Sequence, residues 1–133
     1  MNINHNYVDR EEHFGEPLFV HRKGAIRVAK GQMGSVPGSM GTASFVIEGR
    51  GNESAFCSCA HGGGRAMSRG EALRKVSRKN YLKSLTGVVC AHSGLLLDEA
   101  PEAYKNIRLV MRGQADLVKI LFELNPLVSV KGH

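Results

Sequence analysis

The sequence predicts an α+β fold: a mixed sheet with glycine-rich loops and two main helices, in a single domain covering residues 1–133. Three observations point there. Short apolar runs such as Leu18-Phe19-Val20 and Phe45-Val46-Ile47 have the length of strands. Two longer stretches, 68–85 and 114–124, repeat apolar residues at helical spacing. Sixteen glycines in 133 residues exceed the usual share of about 7%, and their clustering in 24–64 predicts turns and close backbone approaches there.

The opening seven residues are polar and predict neither strand nor helix, with His5-Asn6 offering a metal ligand and a polar contact, or simply a solvated pair. Residues 9–12 read as a short charged helical turn or loop. Residues 18–20 form a strand running into the basic group His21-Arg22-Lys23, turned by Gly24, which either meets phosphates or is a solvated face. Residues 26–29 are the next strand. Residues 36–44 form a loop in which Pro37-Gly38 enforces a turn and Ser39, Thr42 and Ser44 supply hydroxyls. It suits a phosphate or a purine edge, but no Gly-Lys-Ser/Thr makes it a P-loop. Residues 45–47 are a buried strand, and its edge and that of 18–20 are expected to be exposed.

The stretch Cys57-Ser58-Cys59-Ala60-His61-Gly62-Gly63-Gly64-Arg65 gathers two thiols, an imidazole and a guanidinium around three glycines. Successive glycine N–H groups make a nest for an anion, Arg65 adds a fork for phosphate, and His61 supplies a nucleophile. Plain packing and a zinc site built from Cys57, Cys59, His61 and Cys90 or His92 remain open alternatives. Ser68 and Glu71 then have the spacing of a capping box and start the helix 68–85. Leu73, Val76, Leu82 and Leu85 fall near one face of it. Arg74, Lys75, Arg78, Lys79 and Lys83 fill much of the rest, as a nucleic-acid backbone surface or a solubilising face.

Residues 88–91 are a strand, and 101–106 a turn presenting Tyr104. The helix 114–124 carries Leu117, Ile120, Leu121 and Leu124 on one side and is stopped by Asn125-Pro126. Residues 127–130 close the chain as a strand, leaving Lys131 near the terminus. The formal charge of +6 favours an anionic partner. Three cysteines, no apolar leader and no bilayer-length apolar run predict a reduced, cytoplasmic protein without a membrane partner.

Taken in order, these stretches resemble the C-terminal third of the RtcB family, GTP-dependent RNA ligases. The resemblance rests on His5-Asn6, on Val20 through Ala25, on Pro37 through Ser44, and on Cys59 through Arg65 with Met67-Ser68-Arg69. It continues through Glu99-Ala100-Pro101, Ala103-Tyr104-Lys105-Asn106 and Val130-Lys131-Gly132. It implies GTP and manganese as cofactors, RNA as partner (tRNA halves or broken RNA ends), and His61 as the residue that takes GMP as a phosphoramidate. Asn6, Pro37, Gly38, Ser39, Met40, Ser44, Gly62, Gly63, Gly64, Tyr104 and Lys131 would contact the nucleotide, and His5 would bind manganese. The family usually has alanine where Gly63 stands. The reaction implied joins an RNA 3′-phosphate, or a 2′,3′-cyclic phosphate, to a 5′-hydroxyl. The family's other metal ligands belong to an N-terminal portion without counterpart here, so an N-terminal half chain is a candidate partner. The competing expectation is an inactive remnant that binds RNA or nucleotide.

Overall fold

A computed structural model of the chain describes residues 4–90 and 94–130, which are built of strands, three short helices and 3-10 turns. The chain begins with an antiparallel hairpin of β1 (Asn6–His13) and β2 (Glu16–Lys23), turned at Phe14-Gly15, where both residues have positive φ. Residues 9–12 are therefore strand rather than a helical turn or loop, and Asn6 and Tyr7 begin it. The reason is a buried ion cluster that the charge pattern did not reveal. Arg22 is only 2% exposed and forks onto both carboxylate oxygens of Glu11, while its remaining donors reach Ser58 Oγ (2.9 Å), Tyr7 Oη (3.3 Å) and the Phe56 carbonyl (2.7 Å). His13 Nε2 meets Glu11 Oε2 at 2.9 Å. Arg22 is thus a structural cation, not part of a phosphate-facing basic triplet. Only His21 and Lys23 of that group are exposed.

Two small sheets follow. β3 (Ala25–Arg27) pairs antiparallel with β6 (Ser58–Ala60), placing Ile26 opposite Cys59. β4 (Met33–Val36), β5 (Ser44–Gly49) and β8 (Val118–Leu124) form a three-stranded antiparallel sheet with β5 in the centre. Phe45 and Ile47 are buried there, so residues 45–47 are not the exposed edge that the sequence suggested. Residues 114–124 are not a helix. Val118, Ile120 and Phe122 favour extended backbone, and a register shift between Val46 and Ile47 seats the strand on β5. A helix missed in the sequence, α3 (Ile107–Arg112), precedes it. Asn106 caps α3 by accepting the Arg108 N–H, and Ile107 and Met111 turn into the core.

The single helix expected over 68–85 is two, α1 (Arg69–Lys75) and α2 (Arg78–Ser84). Val76 is extended, and Ser77 starts a second helix by accepting the Asn80 N–H at 3.1 Å, as Ser68 does for Glu71. The predicted strand at 88–91 is reduced to β7 (Val89–Cys90), paired parallel with β9 (Val128–Ser129); Ala91 lies outside the described residues.

Packing divides in two. Ile26, Val36, Phe45, Ile47, Cys59 and Met111 belong to a core under the sheets. Met40, Val76, Tyr81, Leu85, Leu96 and Ala103 belong to a second core under the helices. Residues 37–44 join them, since Val36 and Ala43 lie in the first core and Met40 in the second. Among the described residues no helix is long and apolar enough to cross a membrane.

The Glu11 cluster carries a pH signature. Its hydrogen bond from Arg22 outweighs burial and lowers the carboxyl from 4.5 to about 2. A carboxyl depressed on folding stabilises the fold above its unfolded pKa, and that contribution is lost as pH falls towards the folded value. We expect the melting temperature to drop between about pH 4.5 and about pH 2, with a shallower drop in Glu11→Gln. Arg22→Met, which leaves the carboxylate buried and unpaired, should cost about 3–5 kcal/mol in denaturant titrations.

Candidate functional site

Gly24, between β2 and β3, ties two histidines to one point of backbone. Its N–H donates to the His5 carbonyl (2.9 Å), and its carbonyl accepts the His61 N–H (3.2 Å). A positive φ of 73° suits glycine there, and a Cβ at Gly24 would lie 3.9 Å from His61 Nδ1. The two imidazoles consequently sit with ring centroids 4.5 Å apart, tilted by 33°. They line a cavity of about 140 Å³ with Ile26, Ser35 and Pro37. His61 is partly exposed immediately after β6. The tethering role of Gly24 was missed in the sequence, where the only signal was a glycine after a basic run.

The three glycines then thread between two walls. Gly62 lies over Pro37, whose carbonyl would be 3.3 Å from an added Cβ. Gly63 faces Ile107 and the Lys105 carbonyl, each 3.5 Å from such a Cβ. Gly64 has φ of 71°, and its carbonyl accepts the Lys105 N–H at 3.0 Å. On the Pro37 side, the loop 37–44 is held by its own hydroxyls. Gly38 N–H donates to Ser44 Oγ (3.2 Å), and Ser39 N–H donates to Thr42 Oγ1 (2.7 Å). A Cβ at Gly38 would fall 2.1 Å from the Ala43 carbonyl oxygen, and one at Gly41 2.6 Å from that of Ser84. Both positions need glycine.

Beyond this loop, Thr42, Tyr104, Lys105, Asn106 and Ile107 contribute to a second, open cavity of about 520 Å³. Tyr104 donates its hydroxyl proton to Glu99 Oε2 (2.7 Å) and accepts from Arg65 Nη1 (3.1 Å). Burial and Glu99 push its phenol upward, keeping it protonated. Lys105 and Asn106, which the sequence showed beside Tyr104, were not singled out as site residues.

The structure therefore brings His5, Pro37 and His61 together on one cavity, with Gly62 against Pro37 and the loop holding Ser39 and Ser44 beside it, while Tyr104 lines the second cavity. Asn6 is exposed at the start of β1. The Met40 side chain is turned into the second core, 4.0 Å from Tyr81 Oη. Lys131 and His92 lie outside the described residues. Arg65 is not the free phosphate fork expected from its position. Its guanidinium donates to the Met67 and Asp98 carbonyls and to Tyr104, and pairs with Glu99 at 3.5 Å.

The zinc alternative finds no support in the geometry. Cys59 is buried in the sheet core, and desolvation pushes its thiol up to about 12, away from the thiolate that binds metal. Among the described residues no three His, Cys, Asp or Glu side chains converge on a metal position. The same holds for manganese: among the described residues no group of three such side chains includes His5, so these residues do not build a manganese centre by themselves.

A family model described as "tRNA-splicing ligase RtcB" matches residues 1–132. The RNA-splicing ligase RtcB of Escherichia coli K12 is 47% identical over 132 residues, covering 99% of this chain and 32% of that protein. The tRNA-splicing ligase RtcB of Archaeoglobus fulgidus is 37% identical, covering 98% of this chain and 32% of its own length. The RNA-splicing ligase RtcB of Mycobacterium tuberculosis is 36% identical, with 98% and 35% covered. The chain thus spans about a third of the relatives it matches.

Two glycine substitutions test the geometry in opposite directions. Gly38→Ala should destabilise by about 1–3 kcal/mol, because backbone must move to admit the methyl group. Gly63→Ala meets only ordinary contacts, and its stability should lie within about 0.5 kcal/mol of the parent. Equilibrium unfolding of both variants checks the pair.

Proposed function

The chain belongs to the RtcB family, and from that premise we propose that it is the part of an RNA ligase that carries the guanylylated histidine. The observation that supports this reading is the position of His61, partly exposed on a cavity and continuous with the Gly62–Gly64 and 37–44 backbone. His61 Nε2, the ring nitrogen remote from Gly24, attacks the α-phosphorus of GTP. The N–P bond forms as the bond to the β-phosphate bridging oxygen breaks, and pyrophosphate departs. An oxygen of an RNA 3′-phosphate then attacks the same phosphorus, freeing the imidazole and leaving GMP on the RNA end. The 5′-hydroxyl of the second strand attacks that 3′-phosphate phosphorus, gives up its proton and expels GMP.

This chain's residues serve chiefly to align the groups, which is most of what phosphoryl transfer asks of a protein. Gly62, Gly63 and Gly64 let a phosphate approach backbone without side-chain obstruction, and the self-braced loop 37–44 flanks the nucleotide. Tyr104, its hydroxyl held by Glu99 and Arg65, lines the adjoining second cavity. Manganese, when present, supplies Lewis-acid charge neutralisation. His5 would give it one ligand, and a segment corresponding to the relatives' remaining length would give the others.

The test mixes the chain with GTP, manganese and a polypeptide corresponding to the remaining two thirds of a relative. An acid-labile GMP adduct should appear on the wild-type chain and be absent from His61→Ala, as read by intact mass before and after acid. An adduct of equal yield in His61→Ala would remove the assignment.

A further inference from the structure

We propose that α1 and α2 form a sequence-indifferent track for the sugar-phosphate backbone of a single RNA strand, leading away from the His61 site. The inference rests on the ligase reading for its choice of polyanion, and on the two helices for its geometry. Residues 69–84 carry six cations and one carboxylate, Glu71. Lys75 is paired with Glu71 at 2.6 Å, and Arg69 leans towards Asp98 and Glu99 at 3.8 and 3.6 Å. Arg74, Arg78, Lys79 and Lys83 are exposed, and among the described residues none has a carboxylate within ion-pair distance.

Helical spacing shows which way three of these cations lie. Ala72 and Val76 on α1, and Tyr81 and Leu85 with α2, are buried in the second core. At about 100° per residue, Arg74 lies opposite the buried side of α1, and Lys79 and Lys83 lie opposite that of α2. Lys79 and Lys83 are one turn apart, so the fold carries their mutual repulsion instead of relieving it with an acid. A chain of phosphates would relieve it. The only aromatic ring on either helix, Tyr81, is 1% exposed. Without a stacking platform, binding is limited to phosphates and carries no base readout.

The track joins the site through packed backbone. The loop 37–44 lies over Gly62 at one end. At the other, Gly41 abuts the Ser84 carbonyl and Leu85 so closely that no Cβ fits, while Met40 meets Tyr81. The basic helix is therefore anchored to the same loop that flanks His61.

The experiment measures binding of the full 133-residue chain to a fluorescent single-stranded RNA of about a dozen nucleotides over rising salt, by anisotropy. The triple variant Arg74→Gln, Lys79→Gln, Lys83→Gln should flatten the slope of log affinity against log salt by about 2, at roughly 0.7 for each phosphate no longer neutralised. A charge-matched control, Lys30→Gln, Arg112→Gln, Lys119→Gln, should keep the parent slope, and two RNA sequences of equal length should bind alike. Equal flattening in both variants overturns the proposal, because only net charge would then matter. Strong preference for one RNA sequence overturns the phosphate-only mode of binding. Exposed Leu73 and Leu82 border the track, so phosphatidylserine vesicles are run beside the RNA. Vesicle binding that matches RNA and falls in the same variant assigns the surface to membranes instead. A flattened slope with no GMP adduct on His61 would preserve the track and remove the ligase chemistry. The reverse result would do the opposite.

Discussion

The loop of residues 37–44 is the constraint on which the rest of the molecule depends. It is the segment that must satisfy two cores at once, sending Ala43 under the sheets and Met40 under the helices. Protein interiors tolerate little adjustment, so a segment pinned at both ends has few conformations left. Gly38 and Gly41 make the pinning possible, because backbone oxygens occupy the space that any side chain would need. The Ser39–Thr42 and Gly38–Ser44 hydrogen bonds then close the loop on itself. Pre-organisation of this kind lowers the entropy lost when a ligand binds. It also explains why this loop needs no regular secondary structure of its own.

Charge in this protein is sorted by burial. Arg22 and Arg65 look alike in sequence to the surface cations, yet each is consumed by the fold. Arg22 neutralises Glu11 beneath the hairpin, and Arg65 clamps Tyr104, Glu99 and two carbonyls beside the glycine loop. A buried guanidinium satisfied by several acceptors stays in place, since removing any partner exposes an expensive charge. The positive charge left for an external polyanion is then carried elsewhere, with α1 and α2 as its densest short run.

The strands around 18–20, 26–29 and 45–47, the loop before Ser44 and the cap at Ser68 were legible in the sequence because those signals are local. The α+β class needed no tertiary knowledge, whereas the turn expected at Pro37-Gly38 falls instead at Met40-Gly41, where the Ser39 carbonyl accepts the Thr42 N–H. What failed was tertiary. The Leu117, Ile120, Leu121, Leu124 spacing fits a helix, but Val118, Ile120 and Phe122 find better pairing against β5. The α1–α2 break hides behind the Leu73, Val76, Leu82, Leu85 spacing, yet Val76 turns extended to end α1, Ser77 starts α2, and Leu73 and Leu82 end up exposed while Ala72 and Tyr81 are buried. For the site, the glycine run and His61 were visible as chemistry, whereas the His5–His61 approach across Gly24 depends on a hairpin that charge alternation concealed.

The paired histidines bear on what this chain can do alone. With its neighbour's ring centroid 4.5 Å away, the His61 imidazole is held against the His5 ring on a shared cavity. On the ligase reading, an imidazole so placed serves as the nucleophile. Phosphoryl transfer then needs charge neutralised on the transferring group, and the nearest guanidinium in sequence, Arg65, is already engaged. Backbone N–H groups of Gly62–Gly64 offer partial charges only. On the ligase reading, the nucleophile and its cradle reside in this chain, while most of the neutralising charge enters with whatever completes the ligand set around His5.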